Sequence, residues 1–166
     1  LQHSFSKYLE TDDVDVYITE YKRVNKQMQR EQLLEIKNAT ALFKELSKMN
    51  ADLGIVSSKM RDSLDLGVNL LGFDKYVSYV LGGDEVEHPK PNPEGILKAK
   101  AAMNNNTTKN YYVGDTKSDI LAANAAGFIS IGVVTTPAFE AGMREANADY
   151  IVYDLLEITK IIEEGN

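Results

Sequence analysis

Cysteine is absent from the 166 residues, and histidine occurs only twice, as His3 and His88. These absences exclude a disulfide framework, thiolate catalysis and cysteine-held zinc, and they leave no histidine cluster to bind a metal. Any bound metal must therefore rest on oxygen ligands, which favours Mg2+. Also missing are an apolar run of the roughly 20 residues needed to span a bilayer and a charged, then apolar, leader segment. The expectation is a cytoplasmic protein without a membrane partner. Positive charge is scarce as well. Against 25 Asp and Glu stand 18 Lys and Arg, a net charge of −7, which argues against a broad nucleic-acid surface and means that an anionic ligand needs local help.

What is present, 43% hydrophobic and 26% charged residues, suits one globular domain, or one with a small appendage, that buries a real core. From Asp13 onward, Val14, Tyr17, Ile18, Tyr21, Val24 and Met28 recur at helical spacing, predicting a long helix with one apolar face. Lys22, Arg23, Lys26, Gln27, Arg30 and Glu31 make its solvated side. A second helix is expected from Asn38, as N-cap, through Leu42, Phe43, Leu46 and Met49. Beyond Met49, short apolar runs alternate with helical patterns: "LGIVS" at 53–57, "YVSYVLG" at 76–82, "NYYVGD" at 110–115, "FISIGVV" at 128–134 and "YIVY" at 150–153. Runs of this kind, each followed by a helix, predict an α/β fold with a Rossmann-like, doubly wound parallel sheet. Ligands of such sheets sit beyond the carboxyl ends of the strands.

Three strand ends hold the candidate chemistry. "VSSK" offers the hydroxyls of Ser57 and Ser58 and the cation of Lys59 where a helix begins, a setting that suits an anion; a serine serving only as helix cap is the plainer alternative. In "HPKPNPEG", Lys90 stands between two prolines that can hold it in one direction, or it is an ordinary exposed lysine. His88 reads as a surface residue. In "YYVGDTKSD", Asp115 closes an apolar run and Asp119 follows one helical turn later, back toward the same mouth. The two acids could simply cap the helix. Converging carboxylates repel, however, and a divalent cation is the usual remedy.

Taken in this order, "LGIVSSK", "HPKPNPEG" and "VGDTKSDILAANAAG" resemble the second, third and fourth motifs of the haloacid dehalogenase superfamily of phosphohydrolases, and the phrase "LGIVSSKMRDSLDLGVNLLGFDKYV" is similar to its phosphoglycolate phosphatase and pyrophosphatase group. The resemblance runs from about Ala39 to the C-terminus. It implies a HAD-like α/β core over residues 37–166 and makes residues 1–36 the remnant of a small helical cap. It further implies that Ser57 binds the transferring phosphoryl group, that Lys90 steadies its oxygens, that Ser58 and Lys59 lie at the edge of the site, and that Asp115 and Asp119 hold Mg2+, Asp119 directly or through its water shell. The partner would be a small phosphorylated substrate.

The family's first motif, DxDxT at the end of a first central strand, is not found. Asp13 and Asp15, in "ETDDVD", match DxD in letters but follow no apolar run. The expectation is that the central strand comes from a preceding segment, with a second chain or a rearranged sheet as alternatives, and that these residues alone do not hydrolyse phosphate esters. A noncatalytic phosphate- or partner-binding relative, and a phosphomutase of the same superfamily, are the alternatives. A receiver or flavodoxin-like module would explain the alternation but not "KPNP" together with GDxxxD.

Overall fold

The β-branched and aromatic runs form strands, and the amphipathic stretches between them form helices. The computed structural model describes residues 14–103 and 109–165. Asp13 and most of the polar loop at 103–110 lie outside the described residues. Along the chain come α1 (Val14–Gln32), α2 (Ala39–Lys48), β1 (Gly54–Val56), α3 (Arg61–Leu70), β2 (Tyr79–Leu81), α4 (Glu94–Met103), β3 (Tyr111–Gly114), α5 (Lys117–Ala125), β4 (Ile129–Val133), α6 (Pro137–Glu145), β5 (Tyr150–Val152) and α7 (Glu157–Gly165). Single 3-10 turns at Phe73–Lys75 and Gly83–Glu85 flank β2. No helix among the described residues is long and apolar enough to cross a membrane.

Among the described residues all strand pairs are parallel, in two sheets. β1 pairs with β2, setting Val56 opposite Leu81. β3, β4 and β5 form the other sheet in that order, with Gly114 opposite Gly132 and Val133 opposite Val152. The expected single layer is thus divided. The break falls between β1 and β3, where the family resemblance puts its first strand, and among the described residues no strand lies there.

Helices cover both faces, as a doubly wound fold requires. On one face Leu42 and Leu46 of α2 and Ile158 of α7 pack against Ile131, Val133 and Val152. Ala39 of α2 joins Leu64 and Val68 of α3 over Ile55 and Val80. On the other face Ile96 of α4 meets Ala122 and Ala123 of α5, and Ile120 of α5 meets Met143 of α6. Ile120, Ile131 and Ile158 have no exposed surface, and each such burial stabilises by about 2 kcal/mol. α2 touches both sheets, and Gly95 of α4 lies so close to Val56 and Leu81 that a Cβ there would approach them at 3.0 and 3.4 Å.

Two local expectations need correction. Asn38 precedes α2 with a left-handed φ of 69°, but its side chain makes no capping bond. It donates instead to the Asp154 carboxylate at 2.8 Å, tying α2 to the exit of β5. In α1 the stripe of Tyr17, Tyr21, Val24 and Met28 faces solvent. The half-buried side runs through Val14, Ile18, Asn25, Gln29 and then Leu33, and it meets α3 through polar contacts: Lys26 pairs with Asp62 at 3.4 Å and Ser63 approaches Asn25 at 3.4 Å. Along this side Gln29 Nε2 donates to Asn25 Oδ1 at 3.1 Å, one helical turn away.

Candidate phosphoryl and cation site

At the end of β1 the ladder continues one residue further, the Ser57 N–H donating to Leu81 O at 3.0 Å. The chain then turns, and Ser57 Oγ accepts the Lys59 N–H at 3.1 Å. Ser58 and Lys59 are exposed. The "GGDE" turn after β2 closes on this corner from below: Gly83 N–H donates to Lys59 O at 2.7 Å, and a Cβ on Gly83 would lie 2.6 Å from Ser58 O. Only glycine permits that approach. Arg61 locks the two loops, its backbone N–H on Asp84 at 2.7 Å and its guanidinium on Asp65 at 2.9 Å, Val80 O at 3.1 Å and Glu85 at 3.2 Å.

The loop bearing Lys90 is fixed from inside by Glu94. That carboxylate accepts the N–H groups of Glu87 and His88 at 3.0 and 2.9 Å and pairs with Lys98 at 2.6 Å. Lys98 first, then the two backbone donors, lower its pKa to about 2. The Lys90–Pro91 peptide is cis. Ser57, Ser58, His88 and Lys90 line one cleft of about 20 Å³, room for about one water.

Lys90 reaches from this cleft to the end of β3. Its Nζ donates to Asp119 Oδ1 at 2.6 Å and to Tyr112 Oη at 3.2 Å, and the paired side chains keep only 15% and 7% of their surface exposed. The other Asp119 oxygen accepts from the Thr116 N–H at 3.1 Å and the Thr116 hydroxyl at 2.5 Å, while Thr116 Oγ1 receives the Asp119 N–H at 3.3 Å. This reciprocal cap starts α5. Burial opposes the charge on Asp119, but the bonds from Lys90 and Thr116 outweigh it and hold the acid below its ordinary pKa. For Lys90, burial likewise favours the neutral form and is overcome by Tyr112 and Asp119, so its pKa is raised. Burial pushes the Tyr112 phenol up. Gly114 makes the corner possible, since a Cβ there would come within 2.2 Å of Asp119 Cβ.

The structure therefore joins Lys90 to Asp119 and sets Ser57 and Ser58 along the same cleft as Lys90. Asp115 stands in a different arrangement, its Oδ2 accepting from Thr135 Oγ1 at 3.1 Å. Among the described residues no group of three or more Asp, Glu, His or Cys is arranged around a metal position. Asp15 lies on the exposed side of α1. Tyr112, Thr116 and Thr135 escaped the sequence reading. Thr116 could have been found from the T-x-x-D spacing, and Tyr112 from its sharing a strand face with Gly114, two residues on.

The sequence pattern of the haloacid dehalogenase-like hydrolases matches residues 1–133. The chain belongs to this family. Among its relatives, pyrophosphatase PpaX of Bacillus velezensis is 30% identical over 156 residues, covering 92% of this chain and 72% of that protein. PpaX of Bacillus mycoides is 28% identical over 166 residues, covering all of this chain and 77% of the relative. Among solved structures, a haloacid dehalogenase-like hydrolase from Bacteroides fragilis superposes with a TM-score of 0.80 at 24% identity, covering 95% of this chain and 77% of its own. A protein described as a β-phosphoglucomutase from Thermotoga maritima gives 0.79 at 24%, covering 95% and 74%. At such identities these structures establish the shared fold. The family and its phosphatase-named relatives mark the chain as a hydrolase.

Proposed function

We propose that this haloacid dehalogenase-like chain supplies the phosphoryl-binding and cation-holding part of a cytoplasmic Mg2+-dependent phosphohydrolase acting on pyrophosphate or on a small, phosphoglycolate-like phosphate ester. The observation that carries this reading is the Lys90–Asp119 pair at 2.6 Å, on the cleft that Ser57 lines. Phosphoryl transfer needs positioning and charge neutralisation more than covalent chemistry from the site, and a fixed ammonium beside a hydroxyl offers both. Ser57 Oγ and the amides that follow β1 bind phosphoryl oxygens, Lys90 bridges them to the nucleophile, and Ser58 and Lys59 lie at the rim. The carboxylates suit a hard cation that keeps most of its waters and needs only one or two protein ligands besides phosphate. Asp115 would hold Mg2+ directly. Asp119, with both oxygens already engaged by Lys90 and Thr116, would act through the water shell. When bound, Mg2+ supplies neutralising charge to the phosphoryl oxygens.

The nucleophile in this reading is an aspartate of a DxDxT segment, which these 166 residues do not contain. It would enter on a strand between β1 and β3, from a preceding segment or a second chain, with residues 1–36 belonging to a cap. Its carboxylate attacks phosphorus, the bond to the leaving oxygen breaks, and water later opens the aspartyl-phosphate. The test is phosphate release from pyrophosphate and from an aryl phosphate by the protein complete with such a segment, with Mg2+ and with chelator. Release should require Mg2+ and fall about a hundredfold or more in Lys90→Met. A folded, complete protein that releases no phosphate from either substrate overturns the reading.

A further inference from the structure

Asp115 and Thr135 follow neighbouring strands of the same sheet, β3 and β4. The ladder runs one residue past β4, the Val134 N–H donating to Val152 O at 2.9 Å, and the chain then turns sharply, the Thr135 N–H donating back to Val133 O at 3.0 Å. That turn brings the Thr135 hydroxyl to Asp115, whose Oδ2 accepts it at 3.1 Å. β4 flanks β3 on the side away from the gap beside β1, so this contact does not stand in the way of a strand entering that gap.

The two carboxylates of this corner are used differently. Both oxygens of Asp119 are engaged, by Lys90 and Thr116, whereas among the described residues only Oδ2 of Asp115 receives a hydrogen bond and Oδ1 receives none. A carboxylate tied at one oxygen offers the other as a single donor atom, which suits a small cation held through one or two carboxylates. Stability does not account for the tie, because Thr135 is exposed and a hydrogen bond open to water contributes little to folding. Nor does this hydroxyl cap α6, whose N-cap is Thr136. We infer that Thr135 is a positioning residue for the cation: its hydroxyl holds Asp115 by Oδ2, so that Oδ1 stays available to Mg2+. The inference rests on the role proposed above for Asp115 as the direct Mg2+ ligand. Hydrogen-bond partners of ligating groups are worth about tenfold to a hundredfold in metal affinity, and the exposure of Thr135 places it at the low end.

The test uses the protein complete with the DxDxT segment and takes Mn2+ as probe, its free and bound forms being told apart by electron paramagnetic resonance. Thr135→Val keeps the shape of the side chain and removes the hydroxyl, while Thr135→Ser keeps the hydroxyl. Thr135→Val should melt like the parent protein and bind Mn2+ about tenfold more weakly, and Thr135→Ser should bind it as the parent does. In the parent protein, a Mg2+ titration should shift the Thr135 methyl resonance together with the Asp115 carboxyl carbon, a readout that needs no variant. Parent-like Mn2+ affinity in Thr135→Val would overturn the positioning role and leave the reading of Asp115 standing, as would a Mg2+ shift confined to Asp115. Equal weakening in Thr135→Ser and Thr135→Val would overturn it too, since the hydroxyl would then not be what matters. A parent protein that binds no Mn2+ would instead overturn the cation reading itself, and this inference with it.

Discussion

The two strand ends that face each other across the candidate site are built in opposite ways. Where β3 meets α5, charge is buried and satisfied from within: Asp119 is bonded to Lys90 and Thr116 and leaves no oxygen unused. Where β1 meets α3, the Ser57 hydroxyl accepts a backbone N–H of its own turn, and Ser58 and Lys59 are open to solvent. The first corner is part of the protein's stability and fixes a cation in place. The second leaves Ser58 and Lys59 exposed to solvent. Such a division suits a site that must hold an anion without collapsing when the anion leaves.

The strongest way to break this comparison is to disturb both corners and compare the costs. Gly114→Ala would set a Cβ 2.2 Å from Asp119 Cβ and 2.7 Å from its Cγ. Neither the strand nor the capped helix can yield that far, so the Lys90 pair should be broken along with the packing. A loss of about 3 kcal/mol or more is expected from overpacking and an unpaired buried charge. Ser57→Ala should cost less than about 1 kcal/mol, the worth of one partly exposed hydrogen bond. Denaturant unfolding measures both, and equal losses would erase the distinction between the corners.

The loop carrying Lys90 sharpens the comparison through pH. Glu94 has its pKa lowered to about 2, and that of Asp119 is lowered too. A carboxyl that is more acidic folded than unfolded stabilises above its unfolded pKa, near pH 4, and that contribution disappears as pH falls through the folded value. Lys90 has the opposite sign. With its pKa raised, its contribution is complete below about pH 10.4 and is lost as pH climbs through the folded value. Glu94→Gln should therefore be less stable than the parent chain at pH 7, and the gap should close between about pH 4.5 and pH 2. A gap that stays constant across this range would mean that the Glu94 charge does not hold the loop.

Much of the architecture was legible because each strand is an apolar run without polar alternation and each following helix shows its period. The candidate site residues could be singled out for a related reason: strand ends are where an α/β sheet exposes backbone donors and polar side chains. The division into two sheets was legible only as a missing partner, since no local pattern says which strands pair. Tyr112 was hidden because its use depends on Lys90, 22 residues earlier, arriving beside it in space. Asn38 stands at the N-cap position as read, but that its side chain serves Asp154 instead of the helix was hidden, because the partner lies far along the chain.

The smallest expected effect concerns α1, where the apolar face read from the period is inner at Val14 and Ile18 but exposed at Tyr17, Tyr21, Val24 and Met28. Two stripes on this helix recur at spacings of three and four, one through Tyr17, Tyr21, Val24 and Met28 and one through Val14, Ile18, Lys22, Asn25 and Gln29. Hydrophobicity favours burying the first. The fold buries the second, leaving Tyr17 and Tyr21 each 47% exposed and Met28 50% exposed. Apolar side chains that keep half their surface in water contribute little to stability, and lysine is as good a helix former as tyrosine or better. Tyr17→Lys with Met28→Lys should therefore change the unfolding free energy of this chain by less than about 0.5 kcal/mol. Losses of 2 kcal/mol or more, about the worth of a buried aromatic side chain, would show that this stripe is covered in solution and that the polar face of α1 is not the one that holds it.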